Sequence, residues 1–280
     1  MQVTYSAVPG FFVQDLPNAI PSQVGALPPR FGLIDASTER WDTFKIKIDQ
    51  LNEQGASKGE KYKVLFLGRH GQGWHNVGEA KYGTQAWDDY WSKLNGDNEI
   101  TWGPDPLLTP LGLEQARDAR NAWQQEIPFS IPVPKRHYAS PLKRALDTWK
   151  TTFADDGWSV TVLENCREEY GEHTCDKRSS LSHLQSVYPA PTYSFESGFS
   201  EEDPVWTAEE RESKAHVVTR ALTVLNTCFA DDVDDSYISV VAHGGIINGF
   251  LSAVGRPSYP LPTGGILPLV VKMSHGVSEH

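Results

Sequence analysis

Two short apolar runs in this chain of 280 residues each stop on an imidazole followed by glycine. Val64, Leu65, Phe66 and Leu67 lead through Gly68 into Arg69-His70-Gly71, and Tyr237 to Ala242 lead into His243-Gly244-Gly245. Apolar runs this short, closed by glycine, fit buried strands better than helices. In open α/β sheets ligands bind in the crevice beyond the strands' carboxyl ends, so both imidazoles are expected to face one site.

The residues at the first strand end suit an anion. Gly68, Gly71 and Gly73 let the backbone approach a ligand and offer its N–H groups. Arg69 carries a planar fork of donors that matches phosphate, and His70 carries a nitrogen able to act as a nucleophile. Together they point to phosphoryl chemistry.

Further signals follow in order. Thr109-Pro110 is a helix start, a capping residue followed by proline, for a helix to about Glu126. Arg136 to Ala139 reads as a strand leading into Ser140-Pro141-Leu142-Lys143-Arg144-Ala145-Leu146-Asp147-Thr148, where Ser140 is expected to cap a helix. Arg144 then falls near a helix start, beside amides already suited to an anion. A strand over Val160 to Leu163 precedes Cys166-Arg167-Glu168-Glu169-Tyr170-Gly171-Glu172-His173.

These stretches together resemble the histidine phosphatase superfamily in its phosphoglycerate mutase-like branch, nearest its fungal phosphomutase-like phosphatases. The resemblance spans most of residues 61 to 272 and rests on Arg69-His70-Gly71, Ser140 to Thr148, the Glu168 loop and His243-Gly244. The acid phosphatase branch has R-H-G-x-R-x-P and a later His-Asp pair, and this chain has neither. The fold implied is α/β, a mostly parallel central sheet with helices on both faces in three layers.

The resemblance also implies roles. His70 would take a phosphoryl group from a phosphomonoester, and water would then release it. Arg69, Arg144 and His243 would hold the phosphoryl oxygens, with Asn76 and the amides near Gly73 completing the cradle. Glu168 would protonate the departing alcohol, with Glu169 as the alternative; crowded carboxylates raise one another's pKa and help one stay protonated. His173 and Arg178 either contact substrate or belong to a solvated polar loop. No metal and no cofactor is called for. A mutase, or a non-hydrolytic biosynthetic or phosphate-binding protein with the same pocket, is the alternative to a phosphatase.

A net charge of −11 argues against nucleic acid or an anionic membrane surface as the main partner, while leaving room for a local basic pocket. The expected partner is a small phosphomonoester, and nothing in the sequence sets an oligomeric state. No apolar run has the length of a membrane span, and the start lacks a secretory pattern, so a cytoplasmic location is expected. Cys166, Cys175 and Cys228 are odd in number and lack zinc spacing, which suits a reducing compartment.

Residues 1–60 read as an extension packed on a domain of residues 61–280, with one helix from about Glu39 to Leu51 capped by Ser37 or Thr38. Asn76 to Leu94 reads as a helical pair whose Tyr82, Trp87, Tyr90 and Trp91 pack inward or form an aromatic wall beside the site. Phe195 to Trp206 is expected to form a rim or lid. Thr207-Ala208-Glu209-Glu210 fits a capping box for a helix through Ala215, Val218, Leu222, Leu225 and Phe229 to near Asp231. His216 on it is expected to be structural. A last strand over Gly264 to Lys272 and a disordered tail to His280 complete the reading.

Overall fold

The computed structural model describes residues 3–230 and 235–275. In chain order its strands are β1 (Val3–Ala7), β2 (Lys61–Arg69), β3 (Arg136–Ala139), β4 (Val160–Val162), β5 (Tyr193–Phe195), β6 (Tyr237–Ala242) and β7 (Ile266–His275). The helices are α1 (Pro21–Val24), α2 (Arg40–Ala56), α3 (Trp74–Tyr82), α4 (Thr84–Asp89), α5 (Pro110–Glu126), α6 (Lys143–Phe153), α7 (Leu181–Val187), α8 (Lys214–Cys228) and α9 (Gly244–Ala253), joined by short 3-10 turns.

One sheet of order β1-β7-β2-β6-β3-β4-β5 runs through the protein, and β2, β6, β3, β4 and β5 are parallel. β7 runs antiparallel to both β1 and β2. The expected mostly parallel α/β sheet is therefore present. Its central strands alternate between two apolar layers: Leu65 and Leu67 of β2 pack with Ile238, Val240 and α8–α9, whereas Val64 and Phe66 pack with Trp41, Phe44 and α5–α6. A strand buried on both faces must be apolar at successive positions, which is why these runs lack an alternating pattern.

The N-terminal stretch is woven into this architecture. β1 extends the sheet beside β7, and Phe12, Phe31, Leu33, Trp41 and Phe44 supply much of one core layer. Helix α2 begins one residue later than expected and runs on to Ala56, with Glu39 rather than Ser37 or Thr38 at its cap position. The Thr38 hydroxyl instead donates to the Glu39 carboxylate, and the Ser37 carbonyl accepts from Arg40.

Two other helix starts differ from their sequence signals. α6 begins at Lys143, with Leu142 rather than Ser140 at its cap position. The Ser140 hydroxyl instead closes a local turn by accepting from the Leu142 amide and makes a tertiary bond to His243. α8 begins at Lys214 behind Ser213, whose hydroxyl caps the His216 amide. Residues 207–212 form no helix: the Thr207 hydroxyl accepts from the Glu210 amide, but the segment lies beside the Glu168 loop, where the Glu172 amide donates to the Thr207 carbonyl and the Glu212 amide to that of Tyr170. The buried face of α8 is Val217, Arg220, Ala221, Val224 and Leu225, rotated from the expected one because Val217 and Ala221 meet Gly249 of α9. α8 ends at Cys228 with Phe229 at its C-cap position, short of the expected end near Asp231, which itself lies outside the described residues. So does the tail beyond His275, while β7 carries the last strand three residues past Lys272.

Candidate active site

Register brings the two imidazoles together. Arg69 at the end of β2 pairs with Ala242 at the end of β6, so His70 and His243 emerge side by side, with ring centroids 4.9 Å apart. The His70 amide donates to the Ala242 carbonyl at 3.0 Å, and the Ser140 amide does the same to Val241 on the other side of β6. Three neighbouring parallel strands thus deliver His70, His243 and Ser140 to one end of the sheet.

Hydrogen bonds set which ring nitrogen is free. His70 Nδ1 lies 2.6 Å from the Gly71 carbonyl, which can only accept, so Nδ1 carries the hydrogen and Nε2 keeps its lone pair. His243 Nε2 lies 2.7 Å from Ser140 Oγ. Among the described residues the Ser140 hydroxyl has no other acceptor for its hydrogen, so it is assigned to His243 Nε2, leaving Nδ1–H as a buried donor without a protein partner. Burial, followed by the nearby Arg144 charge, pushes both imidazoles well below the ordinary histidine pKa, so both stay neutral.

The loop after β2 is held by close backbone contact. A Cβ on Gly71 would collide with the Gly112 carbonyl at the start of α5, so the two glycines allow the loop and the helix to touch. The Gly71 amide donates to Thr148 Oγ1 on α6, and Thr109 caps α5 through the Gly112 amide as its sequence predicts. The Gly73 amide is occupied by Asn76 Oδ1 at 2.9 Å. Gly73 therefore shapes the start of α3, while Asn76 lines the pocket.

A pocket of about 210 Å³ opens here, lined by Arg69, His70, His75, Asn76, Arg144 and Glu168 in its inner part. Arg69 donates to the Leu261 carbonyl, and Arg144 to the Cys175 carbonyl and Asp176. The buried Nε atoms of both arginines have no protein partner. Unsatisfied buried donors are uncommon in folded proteins, and here they gather where an anion would sit.

Glu168 and Glu169 separate clearly. The Glu168 carboxylate accepts from the amides of Glu169 and Gly245, and a Cβ on Gly245 would strike it. Burial, and then the charge of Asp176, raises the Glu168 pKa despite these amides. Glu169 is instead bound to the ammonium of Lys214. Both line the pocket, and Glu168 is the one placed to retain a proton.

His173 lines the pocket, but Arg178 does not. Arg178 is 3% exposed, and its guanidinium binds Glu164 and the carbonyls of Ser179, Ser200, Glu201 and Glu202. It lies buried outside the pocket lining, not in a solvated loop. With Arg167, which grips Asp203 through two bonds, it straps down residues 196–203. The stretch expected to form a rim or lid is thereby bonded to the body of the protein, and Trp206 donates to the His173 carbonyl.

Several lining residues carry no sequence signal of their own. His75 follows Trp74 at the start of α3, its ring 5.3 Å from that of His70, and its buried Nδ1 has no protein partner. Burial and Arg144 hold it neutral as well. Asp176 bonds Arg144 through one oxygen and Arg211 through the other, both at 2.8 Å. Burial alone would raise the Asp176 pKa, but Arg211 and Arg144 outweigh it and hold it below the ordinary value. Trp87 serves both expected aromatic roles: it packs on Trp102 and also lines the pocket, while Tyr90 is exposed.

His173, Cys175 and Asp176 approach one another as a metal site would. The donor set does not fit a cation, because both Asp176 oxygens are taken by guanidinium groups whose charges would repel it. All three cysteines are free and buried. Among the described residues no helix is long and apolar enough to cross a membrane.

Comparison with known proteins identifies the family. The model of the family described as histidine phosphatase superfamily (branch 1) matches residues 65–260. A protein of Arthroderma benhamiae named "Probable phosphoglycerate mutase" is 42% identical, over 97% of this chain and 85% of its own. "Phosphomutase-like protein 3" of Candida albicans is 34% identical, over 97% and 81%. "Probable phosphoglycerate mutase PMU1" of Saccharomyces cerevisiae is 33% identical, over 78% and 81%.

Proposed function

The chain belongs to branch 1 of the histidine phosphatase superfamily, and on that premise we propose that it is a cytoplasmic, metal-independent phosphomonoesterase acting through a phosphohistidine on His70. The observation that carries this reading is the Gly71 carbonyl on His70 Nδ1, which directs the Nε2 lone pair to act as nucleophile. In the first step Nε2 bonds to phosphorus as the ester P–O bond breaks, and Glu168 gives its proton to the departing oxygen. In the second, water attacks phosphorus, the N–P bond breaks, and the Glu168 carboxylate takes a proton from that water.

The free Nε groups of Arg69 and Arg144 and the Nδ1–H of His243 would stabilise the charge on the transferring group. Phosphoryl transfer depends chiefly on positioning and charge, so this set of donors can serve without a metal. Asn76, His75 and His173 would contact the substrate from the pocket wall. The rival reading is a mutase, favoured by the names of the relatives. It uses the same groups and returns the phosphoryl group to a bound intermediate instead of to water.

The test is release of inorganic phosphate from a panel of phosphomonoesters, without added metal, by wild type and by His70→Ala. Release that disappears in the variant supports the phosphatase. A folded wild type that releases none from any ester rules it out and favours the mutase or a binding role.

A further inference from the structure

The outer part of the same pocket carries a charge pattern that the phosphoryl chemistry does not use. Beyond the inner arginines and imidazoles the wall is formed by Glu79 of α3, Trp87 and Asp88 of α4, His173 and Arg211. Among the described residues Glu79 and Asp88 form no ion pair with an arginine or lysine, although Glu79 feels the Arg69 charge; Glu79 accepts from the Thr84 hydroxyl, and Asp88 faces His173 Nε2 at 3.6 Å. His173 does not neutralise Asp88, since burial, and then Arg211, holds its imidazole below the ordinary pKa. The outer cation, Arg211, binds Asp176 and the Gly171 carbonyl through one nitrogen, Nη1, so its charge is shared with a buried carboxylate.

Resting on the phosphatase reading above, we propose that Glu79 and Asp88 select phosphomonoesters whose leaving group is neutral or cationic, and disfavour those whose leaving group bears a carboxylate. The dianionic phosphoryl group is met by the buried arginines, while the alcohol part faces Glu79, Asp88 and the edge of Trp87. Hydroxyl and ammonium groups can donate to both carboxylates. A carboxylate would meet two like charges beside a cation already shared with Asp176, a form of discrimination by repulsion rather than by added attraction. The same wall disfavours phosphoglycerates, and so disfavours the mutase reaction in the names of the relatives.

Two measurements separate this inference from the reading beneath it. Turnover of p-nitrophenyl phosphate by wild type, compared with His70→Ala, tests the phosphatase alone. Calorimetric binding of glycerol 3-phosphate, phosphoethanolamine and 3-phosphoglycerate to His70→Ala tests the leaving-group preference whether or not turnover occurs. The expected result is at least about tenfold weaker binding of 3-phosphoglycerate than of the other two. In His70→Ala carrying Glu79→Gln and Asp88→Asn, the gap should close to within about threefold, mainly through tighter binding of 3-phosphoglycerate. Equal or tighter binding of 3-phosphoglycerate by the parent variant overturns the proposal, as does a gap that survives loss of both carboxylates. Circular dichroism and melting temperature confirm that each variant folds.

Discussion

Arg144 and Asp176 form an ion pair 2.8 Å long that is almost wholly buried, and Arg211 occupies the other Asp176 oxygen. This relationship aims a buried guanidinium whose Nε is left free toward the imidazoles. Arg144 reaches the site from α6, Asp176 from the loop after Glu168, and Arg211 from the segment before α8.

Removing Asp176 strands two cations. Asp176→Ala is expected to destabilise the fold by about 3–5 kcal/mol, the usual cost of breaking a buried pair from one side. It should also lower kcat/KM by at least about tenfold, with Asp176→Asn falling between. Urea melts with steady-state kinetics check both; an unchanged kcat/KM in a folded variant would detach the pair from substrate binding.

Glu168 and Glu169 should respond differently. Glu168→Gln is expected to lower kcat by about 10²–10⁴-fold for substrates with poor leaving groups, and by much less for an aryl ester that needs little protonation. The sign of the pH effect follows from the raised pKa of Glu168. Its acid form persists above the usual carboxyl range, and activity falls as pH rises through that pKa. The descending limb should be absent in Glu168→Gln. Glu169→Gln removes a Lys214 partner and should alter kcat less than about tenfold.

His75 offers the pocket a neutral ring with an unpartnered buried nitrogen. His75→Ala should reduce kcat/KM by about 10–100-fold, the range for a hydrogen bond to a charged group. Partial recovery in His75→Asn would indicate donation rather than bulk. Full activity in His75→Ala would exclude a contact with the phosphoryl group.

His137 tests stability apart from the site. It lies among Trp149, Phe153 and Trp158, and burial pushes its pKa down to about 4 from the ordinary 6.5. The unfolded chain therefore binds the proton more readily between these values. Stability should fall as pH drops from 6.5 toward 4, by about 3 kcal/mol from this residue. The buried active-site imidazoles contribute with the same sign. His137→Phe should flatten part of that decline in melts between pH 7 and 4.5; equal slopes would show that His137 does not govern it.

The sheet and the strand-end histidines were legible because continuous apolar runs closed by His-Gly encode both burial and position. Arg144 was also legible, although its helix starts two residues later than Pro141 suggests, because Ser140 bonds His243 instead of capping. What could not be read depends on contacts distant in sequence. Arg178 resembles a polar-loop residue until the carbonyls of residues 200–202 surround it. Arg211 was hidden by a capping-box pattern at Thr207, whose hydroxyl takes the Glu210 amide although the helix begins only at Lys214. His75 shows no periodicity and no motif of its own, and only the turn into α3 brings it beside His70.

The most direct test of the account is rapid acid-free quenching of wild type during turnover of a phosphomonoester, followed by peptide mass spectrometry. The account predicts one phosphoryl group on the peptide containing His70, acid-labile, carried on Nε2, and absent from His70→Ala. Turnover that proceeds with no phosphoryl group on His70, or with one on another residue, would contradict it.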